Sequence, residues 1–211
     1  MSTAPQIVLA IESAIAGGSV SILMDGRETA HWIGRAEVSR AEELLVRIDD
    51  LLRSNNIARD QIGLVAVSAG PGSFTGIRVG IATALGLRAG LSIEMSRISA
   101  LHSMAFTSDM SGSIIAALPV GRGSICWQRF QKNADAVVPV DEPRTVGDDG
   151  LLKLGRERPS DLFLLHEGIY SDQSPSPSYI NFGSNIAYAI GRACASHPGT
   201  LSAPLFVSKR I

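Results

Sequence analysis

Cysteine is nearly missing from this chain: Cys126 and Cys194 are the two among 211 residues. They cannot build a multi-bridge framework, and neither lies in a C-x-x-C pair or beside clustered histidines, so a reducing compartment is expected. Aromatic residues make up 5% of the chain, too few for a platform that stacks nucleobases. A surplus of either charge is missing as well. Nineteen Lys and Arg face twenty Asp and Glu, for a net charge of -1, which leaves the phosphate attraction behind non-specific nucleic-acid binding without a source. No apolar run reaches the ~18 residues of a membrane span. The opening Met-Ser-Thr-Ala-Pro-Gln lacks the basic and apolar regions of a secretion signal. These absences lead us to expect a cytoplasmic protein with no membrane contact, which would meet tRNA or any other RNA only indirectly, through a partner.

What is present is enough apolar material for a sizeable core, with 45% hydrophobic and 18% charged residues. Gln6 to Ile11 and Ser19 to Met24 flank the Gly17-Gly18 pair, and Asp25-Gly26 precedes Arg27 to Ile33, so an antiparallel meander is predicted. Leu44, Leu45, Ile48 and Leu52 recur at helical spacing between charged residues and predict an amphipathic helix over Glu37 to Ser54. Gly63 to Ala69 reads as a buried parallel strand, Thr75 to Leu91 as a helix, Leu91 to Glu94 as a strand and Ser99 to Phe106 as a further helix. The second half predicts a hairpin over Ser113 to Val120 and Ser124 to Phe130. A strand over Asp161 to His166, a loop over Gln173 to Ser178 and a helix over Ser184 to Ser196 follow. This order is that of an α/β protein of actin-like (ribonuclease-H-like) type. Its lobes would cover 1–105 and 106–211, each a mixed sheet with an antiparallel meander flanked by helices.

One local signature stands out, Gly70-Pro-Gly-Ser-Phe-Thr-Gly-Ile-Arg-Val-Gly80, between the buried strand and the helix after it. Glycines there allow close backbone approach, Ser73 or Thr75 can cap the helix, and free N–H groups at its start would suit an anion. Two readings stay open: a tight strand-to-helix turn, or a phosphate contact made by Glu12, Ser13, Gly72, Ser73 and Thr75. The spelling matches neither a P-loop nor the G-x-G-x-x-G dinucleotide fingerprint. Within the helix, Gly76 with Gly80 and Gly86 with Gly90 repeat a small residue every four positions, beside Val79, Thr83 and Leu87. A glycine in a helix costs ~1 kcal/mol relative to alanine, so close packing must compensate, either on the chain's own sheet or on another protein.

Val8-Leu-Ala-Ile-Glu-Ser13, the glycine segment just quoted and Arg97-Ile-Ser-Ala-Leu101 together resemble the TsaB branch of the glycoprotease-like (Gcp-like) family, within the actin-like ATPase superfamily. The likeness extends to Ile114 to Phe130 and to Ala203-Pro-Leu-Phe-Val207. It implies a non-catalytic subunit that pairs with a catalytic TsaD-like protein, joined by a TsaE-like ATPase, in transferring threonylcarbamoyl to the tRNA adenosine beside the anticodon. The catalytic members hold metal through two histidines in H-x-x-x-H, a spacing that His31, His102, His166 and His197 do not make. Glu12 stands where the family usually has Asp, Arg40 where a His is common, and Val120-Gly121-Arg122 where Asp-Ala-Arg is usual.

The resulting expectations are no catalytic residue and no metal site, no cofactor of its own, and ATP with magnesium only in the complex. The expected partner interface consists of Leu44, Leu45, Ile48, Leu52, Gly76, Val79, Gly80, Thr83 and Leu87. The sequence leaves open a homodimer on the same helices when the partner is missing. The rival reading is a nucleotide-binding actin-like ATPase or kinase that uses the Gly70 to Gly76 turn. A peptidase role finds no nucleophile.

Overall fold

The computed structural model describes residues 7–35, 40–134, 136–169, 178–200 and 202–203, with the side chains of 40–42 left out. The predicted helix start at Glu37 and the loop over 173–177 fall outside them.

Three antiparallel strands open the chain, β1 (Ile7–Glu12), β2 (Ser19–Met24) and β3 (Arg27–Ile33). Helix α1 (Arg40–Ser54) leads to β4 (Ile62–Ser68), α2 (Phe74–Leu91), β5 (Glu94–Ile98) and α3 (Ala100–Thr107). The strand expected at Leu91 to Glu94 therefore starts at Glu94. Helix α2 runs to Leu91, and Ser92, in the left-handed region at φ 56°, ends it. Strands β4 and β5 run parallel to β1, and the sheet order is β3-β2-β1-β4-β5.

The second half repeats this plan. Strands β6 (Gly112–Gly121), β7 (Ser124–Lys132) and β8 (Val137–Pro139) form an antiparallel set. A short strand, β9 (Arg144–Val146), also pairs with β7. After α4 (Asp148–Glu157), β10 (Leu162–His166) and β11 (Tyr179–Gly183) continue the sheet in parallel, giving the order β11-β10-β6-β7-β8. Helix α5 (Ile186–Ser196) follows β11 as α3 follows β5. Besides the extra strand β9, the repeat departs in one place. The β4–β5 connection houses the 18 residues of α2, whereas the β10–β11 connection spans only 167–178.

Helices α3 and α5 pack on each other between the two sheets. One apolar cluster consequently runs from Val8, Ala10 and Leu64 of the first sheet through Leu101, Met104, Ile186 and Ile190 to Ile114, Ala116 and Leu164 of the second. Polar pins hold α5 to the first sheet. The Asn185 amide donates to Glu28 Oε1 at 2.8 Å, and Ala187 N donates to Ser19 Oγ at 3.0 Å. The outer faces carry separate clusters. That of the first sheet takes in Leu44, Ile48 and Leu52 of α1 and Ala84 of α2.

Candidate functional site

The glycine segment forms a closed joint between the β1–β2 turn and the start of α2. Glu12 ends β1 almost fully buried, and its Oε1 accepts hydrogen bonds from Ala14 N at 2.5 Å and Ile15 N at 3.0 Å. Ser13 Oγ donates to the Gly76 carbonyl at 2.8 Å, and Ser73 N donates to the Ala14 carbonyl at 2.8 Å. Ser73, not Thr75, caps the helix, its Oγ accepting from Gly76 N at 3.0 Å. Side chains are excluded here by contact. A Cβ on Gly72 would strike the Ala14 backbone, one on Gly76 the Ser13 carbonyl, and one on Gly80 the Ser13 hydroxyl. Glu12, Ser13 and Ser73 thus turn their hydrogen-bonding groups to the Ala14–Ile15 backbone and to Gly76 at the start of α2, Gly72 lies against Ala14, and Thr75 is exposed outside the joint.

Packing sorts the helix residues differently from the expected interface. Leu44, Ile48 and Leu52 are buried in the first lobe's own core. Gly76 and Gly80 are buried against Ser13, Val79 and Leu87 pack on the same core, and Thr83 is half-buried. Of that set Leu45 alone is exposed, with 56% of its surface open beside Val46 at 55%. Leu44, Ile48 and Leu52 with Gly76 and Gly80 mark the inward faces, because a helix on a sheet turns its smallest and most apolar side to the strands, whereas Gly86 and Gly90 are exposed.

The outward side of α2 carries Phe74, Arg78, Ala82, Leu85 and Ala89, at steps of three and four residues. Phe74 and Leu85 keep 49% and 47% of their surface exposed. Leu85 and Ala89 border an open groove completed by Arg88, Ser92 and Ile93. A helix that is apolar all round is one that is normally covered all round. Helix α2 has no acidic residue, and its charges are Arg78 and Arg88 alone. The buried triad of Gly76, Gly80 and Ala84 would have pointed to this opposite seam in the sequence.

The family model described as "TsaD: tRNA N6-adenosine threonylcarbamoyltransferase" matches residues 15–155, more than half of the chain. The chain belongs to this family. Within it the similarity is to proteins named tRNA threonylcarbamoyladenosine biosynthesis protein TsaB. The Escherichia coli one is 29% identical over 142 residues, 66% of this chain and 61% of that protein. The Bacillus subtilis one is 27% identical over 164 residues, 76% of this chain and 71% of that protein. Against three of these relatives, from Escherichia coli, Buchnera aphidicola and Haemophilus influenzae, the matched stretch spans 61%, 58% and 48% of the relative's length. Among solved structures, a Pseudomonas aeruginosa protein described as similar to peptidase YEAZ aligns with TM-score 0.70 at 17% identity, over 96% of this chain and all of that one. The ethanolamine utilization protein EutJ of Carboxydothermus hydrogenoformans aligns at TM-score 0.54 and 8% identity, over 92% and 90%. The fold is the actin-like one expected from the order of elements.

Proposed function

We propose that this protein is a non-catalytic subunit in the biosynthesis of threonylcarbamoyladenosine on tRNA, and that it docks a TsaD-like catalytic subunit through the outer face of α2 with the exposed part of α1. One observation carries the reading: α2 is apolar on both sides, while its outer side, with Phe74 and Leu85, is open to solvent. Burying an apolar side chain fully is worth ~1.5–3 kcal/mol, so a partner laid along this seam gains from residues already half-desolvated. The names of the relatives support the pathway. The closed joint at Gly70 to Gly76 favours a scaffold role over the ATPase or kinase alternative, since Glu12 is spent on closing the turn after β1 and Ser13 on holding α2. In this reading a TsaE-like ATPase, tRNA, and ATP with magnesium join only in the assembled cytoplasmic complex.

The test is a threonylcarbamoylation assay with purified TsaD-like and TsaE-like subunits and tRNA, with and without this chain. Omission should abolish modification. Leu85→Glu and Leu45→Glu should do the same while melting like the parent protein, because both side chains face solvent. Full modification without the chain, or magnesium-dependent ATP binding by the chain alone in calorimetry, overturns the proposal.

A further inference from the structure

We infer that the cleft between β9 and α4, on the outer face of the second sheet, binds a small carboxylic acid with a compact apolar body. The site lies in the second lobe and is independent of the docking role of α2. In the register of the sheet, Trp127 of β7 stands opposite Arg144 of β9, and Val146 follows two residues on, so Trp127, Arg144 and Val146 leave the sheet on one side. Helix α4 covers that side, with Leu151 and Leu154 in the same apolar cluster as Trp127 and Val146. Gly150 lets helix and strand meet, since a Cβ there would stand 2.7 Å from the Val146 Cβ. From this contact the cleft follows one face of the helix through Lys153, Leu154 and Glu157 to Arg158. Its volume is about 330 Å³, at the small end of ordinary ligand sites.

Two features of the lining specify the ligand. Trp127 is 5% exposed, and its indole N–H is closed to bulk water and finds no acceptor among the described residues. Buried donors are nearly always met, and because Trp127 lines the cleft, an acceptor that enters there can meet this one. The second feature is charge. Three cations and two carboxylates border the cleft, and both carboxylates are already answered, Asp141 by Arg129 at 3.0 Å and Glu157 by Lys153 at 3.8 Å. Arg158 answers the buried Asp161 at 3.7 Å. Arg144 alone among these cations has no ion pair among the described residues. What remains is one positive charge on a planar fork of donors, which suits a carboxylate. Asp141 and Glu157 oppose a second negative charge, which disfavours phosphate. Val146, Leu154 and the Trp127 ring offer apolar surface to the body of the ligand.

The experiment uses the full chain carrying Trp32→Phe, in which Trp127 is the one remaining indole, labelled with nitrogen-15 so that its N–H gives a single resolved signal. The probes are phenylacetate, its neutral amide phenylacetamide, and inorganic phosphate. Phenylacetate should move the indole signal progressively to saturation, and the amide and phosphate should bind about tenfold more weakly or worse, the loss of one charge-assisted contact. Arg144→Ala should weaken phenylacetate about tenfold and leave the amide unchanged, while Arg144→Lys, which keeps the charge without the fork, should fall between. Arg156→Ala removes an exposed cation of α4 that does not border the cleft, and it should bind like the parent. Arg144 and Arg156 are both exposed, so these variants should melt like the parent too. An indole signal that phenylacetate leaves in place overturns the inference. Equal binding of acid and amide, phosphate binding as tight as phenylacetate, or an equal loss in Arg156→Ala and Arg144→Ala overturns it as well.

Discussion

Single residues decide how this protein responds to acid. Burial holds the His102 ring below its ordinary pKa of 6.5, and the neighbouring His197 adds to the effect. Burial also lowers His166, partly offset by Glu167. His166 Nδ1 accepts a hydrogen bond from Gly168 N at 2.9 Å, which protonation of that nitrogen would remove. In both cases the unfolded chain binds a proton at a pH where the folded chain does not. Stability from these rings is therefore complete above about 6.5 and drains away as the pH falls below it, by at most ~1.4 kcal/mol per pH unit for each ring. Melting temperature should drop from about pH 7 to pH 5.5, and His166→Asn, which keeps an acceptor but cannot titrate, should flatten the slope. A level melting curve across that interval would refute this assignment. The sequence placed Glu12 directly after the first predicted strand, and the structure makes it the last residue of β1. Its work in closing the next turn was not legible, because the bond partners are backbone groups that no side-chain pattern reveals.

At the scale of elements, the glycines of α2 fall into two kinds that look identical in the sequence. A Cβ on Gly76 would run into the Ser13 carbonyl, whereas nothing lies within 4 Å of one on Gly86. Gly76→Ala should destabilise the chain by ~1–3 kcal/mol, the usual range for overpacking. Gly86→Ala should stabilise it by ~1 kcal/mol, the ordinary helical preference. Urea denaturation of the two variants separates them, and equal midpoints would contradict the packing described here. The strongly periodic elements, α1, α2, α3, β4 and the β6–β7 hairpin, could be read from the sequence nearly to their ends. Strands β8, β9 and β11 could not: two are three residues long, and Tyr179 and Ile180 of β11 are exposed at a sheet edge, where no alternation is enforced. Helix α4 escaped notice because its apolar stripe is short, with Leu151 and Leu154 buried. For the candidate site the helices were legible but their faces were not, since periodicity finds a buried side and is silent about an apolar outer one.

For the whole molecule, the shared core around α3 and α5 ties the sheets into one folding unit. The chain has two tryptophans, Trp32 in β3 of the first sheet and Trp127 in β7 of the second. Trp32→Phe and Trp127→Phe variants each leave one fluorescent reporter, and their denaturant transitions should coincide with each other and with circular dichroism. Separated transitions would mean that the lobes unfold independently. The duplicated plan has one further consequence. Of the two matching connections, β4–β5 is long enough for a helix such as α2, and 167–178 between β10 and β11 leaves no room for a second of its length. If α2 is the adhesive flank, the duplicated plan offers that flank once. A head-to-tail filament needs two different adhesive surfaces on every member, and α2 supplies one of them.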